Sequence, residues 1–212
     1  MIIEVRAVPP FAKNGFVLGS ENARQAVIVD PGDEVDQLLD IVQARQLAVT
    51  HILLTHAHVD HITGVGRAKR ALGVPICLHK DDNFLYEGVV EQAASFGLKA
   101  VRQPPVDHFY SPDEVFVLGE YEISVHHTPG HCPGGVCLAA GLAGQSKADL
   151  FVGDTLFAGS IGRTDFMGAD HVTLLRSIRQ VLFAFGDDAR VYPGHGPATT
   201  IGHERRSNRF LI

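Results

Sequence analysis

Three histidines and an aspartate fall within six residues of the sequence, at the end of an apolar run: His56, His58, Asp60 and His61. In an extended segment successive side chains alternate, so His56, His58 and Asp60 would project to one side. Imidazole and carboxylate groups are ligands that zinc, iron and manganese accept. The cluster therefore predicts a metal site more strongly than it predicts a solvated strand end rich in histidine.

Three further candidate ligands each follow a predicted strand in a glycine-containing loop: His131, Asp154 and His195. Such loops let side chains approach an ion closely. With the cluster they make seven donors, whereas one structural zinc ion needs only four. Seven donors favour two ions that share a bridge, a role suited to the carboxylate of Asp154, or one ion with additional groups nearby.

The elements that must position these residues are short strands and helices in both halves of the chain. Apolar alternation and turn residues predict the strands, and helical spacing predicts the helices. Strands are predicted over residues 2–8, 15–18, 25–29, 48–54, 74–78, 115–118, 121–126, 136–140, 150–152 and 190–192. Helices are predicted over residues 34–45, 62–72 and 171–185, with Asp33 and Asp170 as caps of the first and third. The pattern favours two packed sheets with helices outside, in one domain over residues 1–212.

Composition limits the partners that we expect. The formal net charge is −6, which gives no basic surface for nucleic acid. No apolar segment reaches membrane-spanning length, and the first residues lack a signal-peptide pattern. The three cysteines, Cys77, Cys132 and Cys137, form no paired scaffold, and Asp81 and Asp82 are expected at a solvated helix start. We expect a cytoplasmic monomer or small homo-oligomer that acts on a small molecule, with no nucleic acid and no membrane as partner.

The chain resembles the metallo-β-lactamase superfamily through residues 55–61, followed in order by His131, Asp154 and His195. This resemblance implies an α/β fold, a four-layer αββα sandwich of two mixed β-sheets with the metals at one edge. It assigns His56, His58 and His131 to one metal, Asp60, His61 and His195 to the second, and Asp154 to both. Asp30 matches an early aspartate of the family, which supports the site without touching a metal.

Within the superfamily, residues 153–157, 162–166 and 193–197 look like the glyoxalase II (hydroxyacylglutathione hydrolase) branch, and residues 202–210 are similar to the end of bacterial single-domain type II glyoxalases. The resemblance implies hydrolysis of a glutathione thioester such as S-D-lactoylglutathione, a step of methylglyoxal detoxification. We expect no carboxy-terminal helical domain of the kind that full-length glyoxalase II carries. Arg163 and Asp165 stand where that enzyme has a glutathione-binding lysine and tyrosine, and Arg163 retains a group that binds carboxylates.

The predicted mechanism follows from two divalent metal ions, expected to be zinc with iron or manganese as alternatives. Metal ions lower the pKa of bound water to about 7, so a metal-bound hydroxide would attack the thioester carbonyl. Asp154 would bridge the metals and Asp60 would orient the nucleophile, while the thiolate leaves without needing a proton.

Four other functions stay open. An iron-dependent persulfide dioxygenase would use His56, His131 and Asp154, but residues 193–196 read Pro-Gly-His-Gly, where that family typically has Ala-His. A lactonase or a phosphodiesterase of the same fold is the next alternative. A non-catalytic metal-binding domain is disfavoured because degenerate members lose ligands, and this chain retains the complete set.

Overall fold

The computed structural model describes residues 1–212 and divides them into two compact units, Met1–Tyr110 and Ser111–Ile212. Each unit is built around one six-stranded sheet in which parallel and antiparallel pairs are mixed. This confirms the predicted α/β class with two mixed sheets, whereas the expectation of a single domain stays a prediction. None of the helices has the length and apolar character that crossing a membrane requires.

The sheet of the first unit has its strands in chain order, with β1–β2–β3 antiparallel and β3–β4–β5–β6 parallel. The strands are β1 (Ile2–Arg6), β2 (Gly15–Ser20), β3 (Gln25–Val29), β4 (Ala48–Leu53), β5 (Ile76–Leu78) and β6 (His108–Phe109). The helices are α1 (Val35–Ala44), α2 (Val59–Ile62), α3 (Val65–Leu72), α4 (Asn83–Glu87) and α5 (Val89–Ser95), with a 3₁₀ turn over Lys80–Asp82. Because β3 and β4 are parallel, the loops after them leave the sheet at the same edge.

The core of the first unit forms where α1 covers the sheet. The buried side chains of α1 recur at helical spacing and pack against β2 and β3. The cluster comprises Val17, Ala26, Ile28, Leu38, Ile41, Val42 and Leu47.

The predicted cap of α1 is wrong. Glu34, not Asp33, is the N-cap residue, and it makes no side-chain cap. Asp33 instead accepts a hydrogen bond from Thr63 Oγ1 at 2.7 Å, because the chain turns inward here to bury Glu34 beside Lys13. The predicted helix over residues 62–72 begins three residues later, at Val65, because Thr63 and Gly64 separate α3 from the short helix α2 that ends at Ile62.

The sheet of the second unit has the order β14-β13-β10-β9-β8-β7, and β10–β13 is its parallel pair. The strands are β7 (Val115–Leu118), β8 (Tyr121–His127), β9 (Val136–Leu142), β10 (Ala148–Gly153), β13 (Arg190–Pro193) and β14 (Thr199–Thr200), with β11 (Leu156–Phe157) and β12 (Ser160–Ile161) as a separate small hairpin. The helices are α6 (His171–Gln180) and α7 (Ile201–Ser207), with a 3₁₀ turn over Leu182–Phe185.

The apolar stripe of α6 lies on β10 and β13, as its spacing predicts. Leu174 and Ile178 are fully buried in a cluster with Leu150, Val152 and Val191. The helix begins where predicted, since Asp170 Oδ1 accepts a hydrogen bond from the Thr173 amide at 2.7 Å. It is shorter than predicted, because the chain tightens into the 3₁₀ turn after Gln180.

Candidate metal centre

The histidine cluster of the first unit occupies the loop after β4 and the short helix α2. His56 and His61 are buried, and their ring centroids lie 4.0 Å apart. The ring of His58 stands at 88° to that of His56, with 4.8 Å between centroids. Asp60 lies on the first turn of α2, so the extended segment that we predicted through Asp60 ends at His58. Its carboxylate still lies near the cluster, with Asp60 Oδ2 3.8 Å from His61 Nε2. The structure therefore brings these four predicted ligands together.

Asp30 orients this loop, at the position that the resemblance implies. It follows β3 and is buried, and its carboxylate accepts hydrogen bonds from the amide of Thr55 (2.7 Å) and from Thr55 Oγ1 (2.6 Å). Asp30 Oδ2 also lies 2.9 Å from His61 Nδ1. Because a carboxylate accepts, Nδ1 of His61 carries the proton, and Nε2 is left as the nitrogen that can bind a metal.

A buried ion pair behind Asp30 was not predicted from the sequence. Lys13 Nζ donates to the carbonyl oxygen of Asp30 and lies 2.6 Å from Glu34 Oε1, with both side chains 2% exposed. Glu34 Oε1 also accepts a hydrogen bond from the amide of Gly32 at 2.9 Å. A Cβ atom on Gly32 would lie 2.1 Å from the carbonyl oxygen of Asp60, so this turn packs directly against the metal-binding loop.

Asp82 also supports the histidine cluster, and its burial contradicts our expectation that residues 81 and 82 both lie at a solvated helix start. Asp81 is exposed as expected for a solvated helix start, but Asp82 is fully buried. Its Oδ2 accepts a hydrogen bond from the amide of Ala57 at 3.1 Å, inside the histidine cluster. The sequence signal is weak, because two adjacent aspartates before a helix give no indication of which one turns inward.

The second unit brings its three predicted ligands together around one carboxylate oxygen. His131 lies in the loop between β8 and β9, Asp154 follows β10, and His195 follows β13. Asp154 Oδ2 lies 3.7 Å from His131 Nε2 and 3.6 Å from His195 Nε2. His131 Nδ1 is 2.8 Å from the carbonyl oxygen of Arg163, which makes Nδ1 the donor and Nε2 the metal-binding atom. A Cβ atom on Gly162 would meet the carbonyl oxygen of Asp154 at 1.9 Å, so only glycine permits this approach.

These separations fit metal ligands better than hydrogen bonds. Distances of 3.6, 3.7 and 3.8 Å between ring nitrogens and carboxylate oxygens exceed the usual hydrogen-bond range of about 2.7–3.2 Å. Two ligands bound tetrahedrally at about 2.1 Å lie about 3.4 Å apart. Each unit therefore presents nitrogen and oxygen donors at a spacing that suits a divalent metal ion.

Arg163, the predicted substrate-binding residue, is exposed and paired with a neighbour on its own loop. Its Nε and a terminal nitrogen donate to the two carboxylate oxygens of Asp165 at 2.9 and 2.7 Å. The guanidinium lies 4.3 Å from the ring centroid of Phe166. The hydrogen bonds with Asp165 raise the pKa of Arg163 and lower the pKa of Asp165. An anionic substrate that binds Arg163 must therefore compete with this carboxylate.

The chain is similar to known proteins along its whole length. The model of the metallo-beta-lactamase superfamily matches residues 8–196. The chain is 38% identical to the hydroxyacylglutathione hydrolase GloC of Haemophilus influenzae, over 100% of this chain and 98% of that protein. Among solved structures, the BLEG-1 B3 metallo-beta-lactamase matches with a TM-score of 0.90 and 35% identity, over 100% of both chains. TTHA1623 in a di-iron-bound form matches with a TM-score of 0.85 and 37% identity, over 98% of this chain and 100% of that chain. The chain therefore belongs to the metallo-β-lactamase superfamily of metal-dependent hydrolases.

Proposed function

We propose that the protein hydrolyses a glutathione thioester, such as S-D-lactoylglutathione, to a hydroxy acid and glutathione. The observation that carries this proposal is the complete set of seven donors, spaced as metal ligands in both units. The similarity to a hydroxyacylglutathione hydrolase along the whole chain supports the choice of substrate class. Hydrolysis at a metal centre needs only these donors and a group that binds the substrate.

We assign the ligands to two divalent ions in one centre. The assignment is His56, His58 and His131 for one ion, Asp60, His61 and His195 for the other, and Asp154 as the bridge. The position of Asp154 Oδ2, within 3.7 Å of a ring nitrogen of both His131 and His195, supports this bridging role. Zinc, iron and manganese all accept nitrogen and oxygen ligands of this kind. TTHA1623, one of the similar structures, is in a di-iron-bound form.

The residues of the chain have separate tasks in this reaction. Bound metal ions would supply a water of lowered pKa and positive charge for the developing oxyanion. Asp60 accepts a hydrogen bond from the attacking water and orients it, while Asp30 holds His61 in the tautomer that the site needs. Arg163 binds the glycyl carboxylate of glutathione once that group displaces Asp165. A thiol with a pKa of about 8.5 leaves as thiolate without a general acid.

The first test is the loss of thioester absorbance when metal-loaded protein is mixed with S-D-lactoylglutathione. We expect rapid hydrolysis that stops on chelation and returns when zinc, iron or manganese is restored. Asp154→Ala should lose both hydrolysis and metal, whereas Glu91→Gln, which changes an exposed carboxylate, should retain both. A metal-loaded protein that leaves the thioester intact would contradict the proposal.

That negative result would direct attention to the alternative predicted from the sequence. A persulfide dioxygenase needs His56, His131 and Asp154, and all three are present. Iron-loaded protein would then consume oxygen in the presence of glutathione persulfide, whereas a thioesterase would not. Oxygen uptake therefore separates the two functions.

A further inference from the structure

Ala57 is the residue between the first two histidines of the metal cluster, and side chains from two other elements hold its backbone. It has no exposed surface. Its amide donates to Asp82 Oδ2 at 3.1 Å, and its carbonyl oxygen accepts from Gln92 Nε2 at 3.0 Å. Asp82 ends the 3₁₀ turn before α4, and Gln92 lies in the middle of α5. Gln92 Nε2 also donates to the carbonyl oxygen of Leu85 at 2.7 Å, which fixes its amide group in place.

These two hydrogen bonds hold the two peptide groups that join Ala57 to His56 and to His58. The amide of Ala57 belongs to the peptide that follows His56, and its carbonyl belongs to the peptide that precedes His58. This stretch lies after the end of β4 and before the start of α2, so no strand ladder or helix fixes it. Rotation of either peptide group would turn one imidazole away from the other. The contacts with Asp82 and Gln92 thus set the relative direction of His56 and His58.

The hydrogen bond from the Ala57 amide does not by itself require a carboxylate at position 82. Moving a carboxylate out of water costs free energy, and a neutral amide oxygen would satisfy the same N–H group. Asp82 is fully buried, whereas its neighbour Asp81 has a side chain that is 48% exposed. A negative charge behind two neutral imidazoles favours a cation between them, since Coulomb attraction is strong where water is excluded.

We infer that Asp82 and Gln92 are positioning residues for the metal ligands His56 and His58, and that the charge of Asp82 also strengthens cation binding. This inference rests on the proposed function in one respect, namely that His56 and His58 hold a metal ion. Neither side chain touches the metal or the substrate. Asp82 acts through a backbone amide and through charge, whereas Gln92 acts through a backbone carbonyl alone.

The test uses cobalt(II) as the probe, because its visible spectrum reports the number and arrangement of ligands. The wild-type protein and the variants Asp82→Asn, Gln92→Ala and Glu91→Gln are loaded with cobalt(II), and affinity is measured by competition with a chelating indicator. We expect Asp82→Asn to bind cobalt about 10- to 100-fold more weakly and with an altered spectrum, as changes beside metal ligands do. Gln92→Ala should alter the spectrum and weaken binding about tenfold. Glu91→Gln, which changes an exposed carboxylate next to Gln92 on α5, is the matched control and should behave as the wild type.

The remaining outcomes separate a positioning role from a purely structural one, and separate this inference from the proposed function. If Asp82→Asn and Gln92→Ala unfold at lower temperature as metal-free proteins but keep the wild-type cobalt spectrum and affinity, their role is structural and the inference is wrong. Should Asp82→Asn fail to fold, Gln92→Ala carries the same comparison. Wild-type protein that binds no cobalt overturns both this inference and the proposed function. Wild-type protein that binds cobalt but leaves the thioester intact in the zinc-, iron- or manganese-loaded form overturns the proposed function alone.

Discussion

A buried lysine supports the turn that carries Asp30, and its removal should destabilise the first unit. Replacing Lys13 by methionine leaves the Glu34 carboxylate buried without its cation, and breaking such a pair costs about 3–5 kcal/mol. The control is Lys69→Met, which breaks a partly exposed pair with Asp107 and should cost up to about 1 kcal/mol. Urea unfolding of the metal-free variants measures both changes. Equal losses would show that the buried pair has no special role.

The exposed pair between Arg163 and Asp165 leads to a prediction on substrate affinity. Because Asp165 occupies the guanidinium, Asp165→Asn should make Arg163 more available to a substrate carboxylate. An exposed pair of this kind competes only weakly with the substrate, so the KM for a glutathione thioester should fall about two- to fivefold with kcat unchanged. Arg163→Gln should raise KM instead. Initial rates over a range of thioester concentrations test both, and an unchanged KM in both variants would remove Arg163 from the substrate site.

The candidate ligands and Asp30 could be named from the sequence, whereas the supporting residues Asp82 and Lys13 could not. Metal binding restricts residue type, so His56 and His58 stand out by type and spacing alone. Asp82 supports the cluster through Ala57, which lies 25 residues away in the chain. Lys13 acts through Glu34, which lies 21 residues away. Such contacts follow from the folded arrangement of several elements. Local sequence carries little information about them.

Among the elements, those that bury a regular apolar pattern were predicted best. The bounds of β3 and β7 agree with the prediction, and the stripe of α6 packs as expected. The two-residue strands β6, β11, β12 and β14 were missed, because alternation cannot be recognised over two residues. Helix α7 was missed as well, since a fully buried Glu204 replaces the apolar residue that would continue a stripe.

The contact between β8 and the 3₁₀ turn after α6 predicts a pH dependence of stability. The His126 ring lies edge-on to Phe185, with 5.0 Å between centroids, and desolvation lowers its pKa, although Asp113 opposes the shift. As the pH falls, His126 therefore takes up a proton at a higher pH in the unfolded chain than in the folded protein. Its contribution to the free energy of unfolding is fully present above a pH of about 6.5 and is lost as the pH falls below that value. His126→Phe should lose less stability than the wild type between pH 7.5 and 5.5, measured by urea unfolding of metal-free protein. Parallel pH curves would contradict this assignment.

At the level of the whole chain, the ligands are divided between the two units. The first unit carries four predicted ligands and the second carries three, and each set is already assembled within its own unit. No linker in the sequence marks the boundary after Tyr110, so the division could not be predicted from composition. The two-ion centre that we propose would couple the folding of the units, because an ion that takes ligands from both binds only when both are folded.

This coupling can be measured with two buried thiols, one in each unit. Cys77 in β5 and Cys137 in β9 are fully buried and belong to no disulfide, and burial raises the pKa of Cys137, so a thiol reagent labels it only after local or global unfolding. With metal bound, we expect both to become labelled at the same urea concentration. Chelation should lower both midpoints together, since a ligand present at about 100 times its Kd stabilises the folded state by about 2.7 kcal/mol. Mass spectrometry of labelled peptides identifies each site. Separate midpoints, with only one sensitive to metal, would mean that the two sets of ligands do not bind the metals as one centre.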